Sequence, residues 1–276
     1  MSLIAAVPDP GVLTRVTDQA SLLVAPNACA WTFEGTNTWL LAGPDDDSCV
    51  VVDPGPLDPV HLDRIRAAAG VRTVAEIWLT HGHDDHADGA WPLAAATRAQ
   101  VRVAQGGAGT LPLVDGARLA VGSIRAEVVA TPGHTMDSVC FVLPEDGALL
   151  TGDTVFGRGS PFVEPNGMSE MLASLRRLLD LTSKSDSTMI ALPGHGPVVS
   201  DAARMISRRL QGRLSRIGQV EGLLDRGCDD PAAMARVMYP DITDPVLRRA
   251  AESSTAAALA YVVSVRSKQS HGGGNS

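Results

Sequence analysis

The 276-residue sequence has no CxxC pair, and its four cysteines, Cys29, Cys49, Cys140 and Cys228, lie far apart. That scatter excludes a dense disulfide framework or a thiolate zinc site and leaves buried or incidental thiols. No run of about 18 apolar residues occurs, so no membrane-spanning helix is expected. The opening segment, MSLIAAVPDPG, lacks a basic stretch, and its short apolar run stops at Pro8. It reads as neither signal peptide nor anchor, which makes a cytoplasmic protein without membrane partners the expectation. Lysine is nearly absent, at Lys184 and Lys268 only, so almost all positive charge is arginine. Beyond residue 200 the aromatics are Tyr239 and Tyr261 alone, few for a strand-binding surface, which normally combines a dense basic stripe with stacking rings.

What is present suffices for a large core: 45% of residues are apolar, which excludes disorder of the whole chain. The net charge of −8 is unevenly spread. Residues 1 to 200 carry 23 acids against 12 bases, and residues 201 to 276 carry 8 acids against 11 bases. The acidic field of the first part disfavours polyanions, although a metal centre can dominate locally and a basic tail can act separately.

Short β-type runs punctuated by Gly, Pro and Asp predict strands at 20–25, 38–43, 49–53, 76–80, 101–104, 124–130, 138–143, 147–151 and 188–192. Helical patterns cover 59–69, 88–96 and 169–181. After residue 200 the composition shifts to Arg- and Ala-rich helices, predicted at 201–226, 230–238 and 244–265. The reading is therefore a catalytic domain over 1–200, a helical domain over 201–268 and a polar, Gly-rich tail over 269–276 expected to be disordered. Five strands end in polar clusters: VVDPG, LTHGHDDH, ATPGH, LTGD and ALPGH. Functional groups collect on loops beyond strand ends because the sheet fixes where each loop begins, so five such ends suggest one shared rim.

The clusters supply His81, His83, Asp85, His86, His134, Asp153 and His195, an imidazole and carboxylate set suited to zinc, iron, manganese or cobalt. Four potential ligands within residues 81 to 86 cannot all bind one ion with good geometry, but they can serve two adjacent ions. A lone HxH is often a solvated loop. Here the cluster follows an apolar strand and is joined by three further strand-end ligands, each preceded by a glycine that lets the backbone turn sharply.

The HxHxDH run at 81–86, TPGHT at 131–135, GDT at 152–154, PGHGP at 193–197 and VVDPG at 51–55 together resemble the metallo-β-lactamase fold superfamily over roughly residues 15 to 200. The resemblance implies an α/β fold, a four-layer αβ/βα sandwich with the metals at one edge, followed here by a small helical, winged-helix-like section. It also implies that His81, His83 and His134 hold one ion, Asp85, His86 and His195 the second, and that Asp153 bridges both. Asp53 resembles the family carboxylate that orients ligands from behind; a turn-forming Asp before Pro54-Gly55 is the plainer reading. Two divalent ions, zinc first and iron or manganese otherwise, would share a solvent molecule and lower its pKa to about 7, giving a bridging hydroxide that Asp85 orients. His83 stands where iron-type flavodiiron members carry an acid, which argues for hydrolysis over oxygen reduction.

Gly35-Thr36-Asn37, the segment GDTVFGRGSPFVEP at 152–165 and the helical C-terminal section resemble the β-lactamase-like protein 2 and glyoxalase II subgroups. The first includes enzymes that cut single-stranded RNA; the second hydrolyses thioesters. Asn37 either helps polarise a substrate oxygen or serves as a turn residue, and Arg158 and Ser160 either meet an anionic group or are structural. The expectation is a metal-dependent hydrolase of small-molecule esters, thioesters or related substrates, with single-stranded RNA cleavage as the alternative. A non-enzymatic nucleic-acid-binding or scaffold protein is the rival class, and a homodimer is a further expectation for the helical section.

Overall fold

The computed structural model describes residues 7–164, 166–185 and 187–272. Its elements are β1 (Thr14–Arg15), β2 (Ala20–Val24), β3 (Asn37–Leu41), β4 (Ser48–Val52), α1 (Pro59–Ala69), β5 (Thr73–Trp78), α2 (Asp84–Ala87), α3 (Ala90–Thr97), β6 (Gln100–Val103), β7 (Thr110–Pro112), β8 (Arg118–Val121), β9 (Ile124–Ala130), β10 (Val139–Leu143), β11 (Ala148–Gly152), α4 (Met168–Ser183), β12 (Ile190–Pro193), α5 (Ala202–Leu224), α6 (Pro231–Met238) and α7 (Pro245–Gly272). Strands β1 to β7 form one sheet in sequence order, and β12-β11-β10-β9-β8 form the second. Pairing is parallel from β4 through β7 and between β11 and β12, and antiparallel elsewhere.

Strand periodicity explains the layering, because successive side chains point to opposite faces. Leu22, Trp39, Val50, Val52 and Trp78 face the second sheet, where they meet Val128, Phe141, Leu143 and Leu150. The intervening Leu23, Leu40, Val51 and Ile77 point outward onto α1 and α3 through Leu62, Ile65, Ala90 and Leu93. On the far side, Val129, Cys140, Leu149 and Ala191 pack against Met171, Leu172 and Leu175 of α4 and, in the same cluster, Ile206 and Leu210 of α5 and Ala258 and Val262 of α7. The result is the expected four-layer sandwich. Trp78 and Phe141 are fully buried with ring centroids 5.1 Å apart, and each large side chain removed from water contributes roughly 1.5–3 kcal/mol.

Several elements depart from expectation. The strands β1, β7 and β8, two to four residues long, are too short to show an alternating pattern, and the one-turn α2 hides inside the His/Asp run. Helix α7 continues to Gly272, so the tail expected from 269 is helical over 269–272; no proline or glycine interrupts the chain before Gly272. The remainder of that tail, 273–276, and the opening residues 1–6 lie outside the described residues. Beyond residue 200 the described residues form helices only, with no β wing. No helix among the described residues is long and apolar enough to cross a membrane.

The entry to α1 carries a buried histidine. Asp58 caps the helix by accepting from the His61 backbone N–H at 2.7 Å, with Pro59 in the first turn. The fully buried His61 ring sits with Nε2 3.0 Å from Thr38 Oγ1, while that hydroxyl donates to the Asp53 carbonyl at 2.7 Å. His61 therefore donates from Nε2, and its buried Nδ1 has no partner. Burial pushes its pKa down to about 4, below the ordinary value of about 6.5. The unfolded chain thus binds the extra proton between these values, so this contribution to stability is complete above about pH 6.5 and lost as pH falls toward 4. In metal-free protein the urea midpoint should fall across that window, and His61→Gln should flatten the fall; parallel curves for the two proteins would refute the assignment.

Candidate metal centre

The five polar strand ends meet at one rim. Asp53 follows β4, Thr80-His81 follows β5, Asp153 follows β11 and His195 follows β12, while His134 lies on the turn between β9 and β10. Cross-links between the sheets hold the rim together: Asn37 N–H donates to Gly194 O at 2.8 Å, Val139 N–H to Thr80 O at 2.8 Å, and Trp39 Nε1–H to Pro193 O at 3.2 Å. His83 is the N-cap of the one-turn α2, and its carbonyl accepts from the backbone N–H groups of His86 and Ala87, both at 2.9 Å. That turn sends Asp85 and His86 inward while Asp84 stays exposed.

All seven expected ligands come together in two groups, His81, His83, His134 and Asp153 in one and Asp85, His86 and His195 in the other. His83 Nδ1 lies 3.0 Å from both His81 Nε2 and His134 Nε2. His86 Nε2 lies 3.1 Å from His195 Nε2, and Asp85 Oδ2 is 3.2 Å from His195 Nε2. The Asp153 carboxylate stands between the groups, with Oδ2 3.4 Å from His134 Nε2 and 3.5 Å from His195 Nε2, and Oδ1 3.4 Å from His86 Nε2. Gly194 makes this approach possible, since a Cβ there would sit 2.5 Å from Asp153 Oδ1 and 2.8 Å from His86 Cε1.

The outer hydrogen bonds decide which ring nitrogen is free. His86 Nδ1 faces Asp53 Oδ2 at 2.9 Å, His134 Nδ1 faces the Phe162 carbonyl at 3.0 Å, and His195 Nδ1 faces the Gly35 carbonyl at 3.2 Å. His81 Nδ1 lies 3.0 Å from Thr80 Oγ1, which itself donates to Asp53 Oδ2 at 2.7 Å. Each acceptor assigns the proton to Nδ1 and turns an unprotonated Nε2 inward. Asp53 thus orients His86 directly and His81 through Thr80, and its Oδ1 accepts the Thr80 backbone N–H at 2.8 Å. The turn-former and ligand-orienting readings of Asp53 describe the same residue: it has φ of 50° and is 1% exposed.

This donor set fits cations. Inward lone pairs 3.0–3.1 Å apart repel unless a positive charge lies among them, and the buried Asp153 Oδ1 has no hydrogen-bond partner among the described residues. Charge tells the same story. Burial alone would raise the Asp153 carboxyl, but His195 and His86 hold it well below the usual carboxylate range. Burial opposes charge on His86, yet Asp153 and Asp53 overcome it and push that imidazole well above its usual value, so the cluster draws a positive charge to Nε2, a proton where no cation is bound and a cation in its place. Asp85, which burial would also raise, is held low by the hydrogen bond and charge of His195 and by His86.

Two expectations change in this setting. Asn37 is fully buried, and its Nδ2 donates to the carbonyls of Pro193 at 2.9 Å and Gly196 at 2.8 Å. With both donors committed to the His195 loop, it positions that ligand and has no N–H left to polarise a substrate oxygen. Arg158 pairs with Glu34 at 2.6 Å and stacks on Phe33 at 4.8 Å, the structural alternative, whereas Ser160 lines the site cavity.

That cavity, about 900 Å³, opens from His83, Asp85, His134, Asp153 and His195 toward α5, α7 and the turn after α6. Five of the ten aromatic residues line it: Trp31, Phe33, Phe156, Phe162 and Tyr239. It also contains Arg208, Arg209, Arg213 and Arg216, which the sequence reading did not single out. Their spacing on one helical face was the available signal.

A two-sheet sandwich with imidazoles and carboxylates converging at one rim defines a class of metal-site proteins, and comparison with known proteins gives the family. The model of the metallo-β-lactamase superfamily matches residues 31–112 and 108–195; the chain belongs to that superfamily. Among curated relatives, the lactamase-like protein aptB of Emericella nidulans is 29% identical over 87% of this chain and 80% of its own length. The atrochrysone carboxyl ACP thioesterase AgnL7 of Paecilomyces divaricatus is 28% identical over 84% of this chain and 73% of its own. Among solved structures, a β-lactamase domain protein from Burkholderia ambifaria superposes with a TM-score of 0.77 at 19% identity, covering 94% of this chain and 90% of the other.

The Asp53 network predicts a measurable effect on metal affinity. Asp53→Asn keeps the shape and tolerates the left-handed backbone, but it replaces one of the two carboxylate oxygens by an NH2, so the three donors from the Thr80 backbone, the Thr80 hydroxyl and His86 can no longer all be accepted. Competition with a chelator should show metal affinity lower by about 10–100-fold; wild-type affinity would remove Asp53 from the orienting role.

Proposed function

We propose that this chain is a dinuclear metal-dependent hydrolase of thioesters or esters carrying a bulky, partly aromatic acyl group. The observation that carries the reading is the cavity: one end is the ligand cluster, and its walls are Trp31, Phe33, Phe156, Phe162, Ile242 and Leu247. Two divalent ions, zinc first, held by His81, His83 and His134 and by Asp85, His86 and His195 with Asp153 between them, would supply a hydroxide nucleophile at neutral pH and polarise the scissile carbonyl.

The chain's own residues do the rest. The apolar walls take the acyl group out of water and hold its carbonyl at the cluster, which converts attack into a local event. Asp85, partly open to the cavity and ionised, accepts a hydrogen bond from the attacking solvent and aims it. A thiolate whose conjugate acid has a pKa of about 8–9 departs without a strong proton donor, which suits a site built mainly from acceptors. The name of the Paecilomyces relative, an acyl carrier thioesterase, supports the same substrate class. Single-stranded RNA would call for an open basic track with stacked rings; the arginines here line a pocket instead.

The test is a parallel assay of metal-loaded protein on an aromatic acyl-pantetheine thioester and on single-stranded RNA. Hydrolysis of the thioester alone is expected, lost on chelation and regained with zinc; cleavage of RNA alone would overturn the proposal. Asp153→Asn should reduce kcat by at least about 10²–10³-fold, the range for removing one preorganised electrostatic contact, and lower the bound metal below two equivalents while the thermal transition persists. A fully active variant after metal repletion would remove the bridging role.

A further inference from the structure

Helix α5 lends the cavity Arg208, Arg209, Gly212, Arg213 and Arg216, positions that share one helical face. Among the described residues, none of these four arginines forms an ion pair with a carboxylate. Arg213 is 9% exposed and donates from Nη2 to the Pro161 carbonyl. Arg209 donates from Nη2 to the Phe156 carbonyl at 3.3 Å, and its buried Nε has no partner. Arg216 is tied down, stacked on Tyr239 at 4.4 Å and donating to Gln219 Oε1 at 2.8 Å and Met238 O at 3.1 Å. Burial, with the Arg209 charge nearby, pushes Arg213 down to about 10. A guanidinium remains ionised there at neutral pH, and a buried charge without a counter-charge is costly.

We infer that Arg209 and Arg213 form an anion subsite of the cavity, which binds a carboxylate or phosphate carried by the substrate away from the scissile bond. The inference rests on the thioester reading above and adds a charge to the substrate. Guanidinium groups with free donors bind planar carboxylates and phosphates through charge-assisted hydrogen bonds. Arg209 and Arg213 both line the cavity without a carboxylate partner among the described residues, and Arg208, exposed at the same face, adds positive potential. The anion has two possible sources in a carrier-bound acyl thioester: the phosphate of a phosphopantetheine arm, or a carboxylate on the acyl group itself. Gly212 between the two arginines keeps the approach open, since a Cβ there would meet nothing within 4 Å.

Equilibrium binding of non-hydrolysable thioether analogues to metal-loaded protein tests the subsite. Two ligand pairs are compared, an aryl-methyl pantetheine with and without the 4′-phosphate, and the same neutral arm with and without a carboxylate on the ring. One anionic member is expected to bind about tenfold tighter or better than its neutral partner, and the pair that shows it identifies the source. In Arg213→Gln and Arg209→Gln that ratio should fall toward one. Arg209→Gln gives up only the bond to Phe156 and keeps the test valid if Arg213→Gln fails to fold. Gly212→Leu, which favours helix and fills the approach, should weaken binding of all four ligands about tenfold without lowering Tm. Ratios near one in the wild type, ratios unchanged in both arginine variants, or undiminished binding to Gly212→Leu would each overturn the subsite. Binding is read without turnover, so anion selectivity in a protein that leaves thioesters intact overturns the hydrolytic reading alone, while thioester hydrolysis without selectivity overturns the subsite alone.

Discussion

The structure depends on one arrangement: four imidazoles are held by protons on their outer nitrogens so that their inner lone pairs meet around the Asp153 carboxylate. Such a gathering of acceptors is unfavourable in a folded protein unless the surrounding chain is rigid enough to impose it. The sandwich supplies that rigidity. Both faces of β3, β4 and β11 are buried, so their ends cannot shift without moving a packed layer. The two sheets are then joined at the rim by hydrogen bonds from Asn37, Trp39 and Val139. Asp53 completes the support, since one carboxylate reaches ligands of both groups, His86 directly and His81 by way of Thr80.

Much of this was legible in the sequence because the information is local. A strand end followed by Gly-His or Gly-Asp announces both where a ligand sits and how the backbone turns to present it, and four such ends, with Asp53-Pro54-Gly55 as a fifth polar end, placed the rim. The layering was not legible in the strands themselves, because SCVVV and NTWLL are buried on both faces; the four-layer sandwich came from the family resemblance. Asn37 and Arg158 were not legible either. Each is an ordinary polar residue in a turn-rich stretch, and its role depends on a partner 156 or 124 positions away, the Pro193 carbonyl or the Glu34 carboxylate. The short strands β1, β7 and β8 were invisible because two to four residues cannot establish a period.

The arginines of α5 failed to stand out for a different reason. Counted over the C-terminal section they are a mild basic excess, the kind that usually lies on a solvated face. Burial changes their meaning. The largest core cluster runs without interruption from Val129 on β9 through α4 and α5 to Val262 on α7, so the helical section presses one face of α5 toward the rim. Residues that composition assigns to a separate appendage thereby line the cavity of the candidate metal centre.

That placement resolves an apparent conflict in the charge distribution. An acidic catalytic portion should repel an anionic substrate at long range, and at physiological salt the repulsion fades within about 8 Å. Inside the cavity the balance reverses, because the acids near the cluster, Asp85 and Asp153, face imidazoles, while among the described residues Arg209 and Arg213 have no acid to neutralise them. A neutral apolar ligand would fill the aromatic walls and leave these guanidinium groups desolvated without compensation. A ligand with a bulky acyl group and a negative charge satisfies both features of the lining at once. On the proposed reading, the acidic charge of residues 1 to 200 discourages nonspecific polyanions while the guanidinium groups of the cavity would favour an anionic acyl compound.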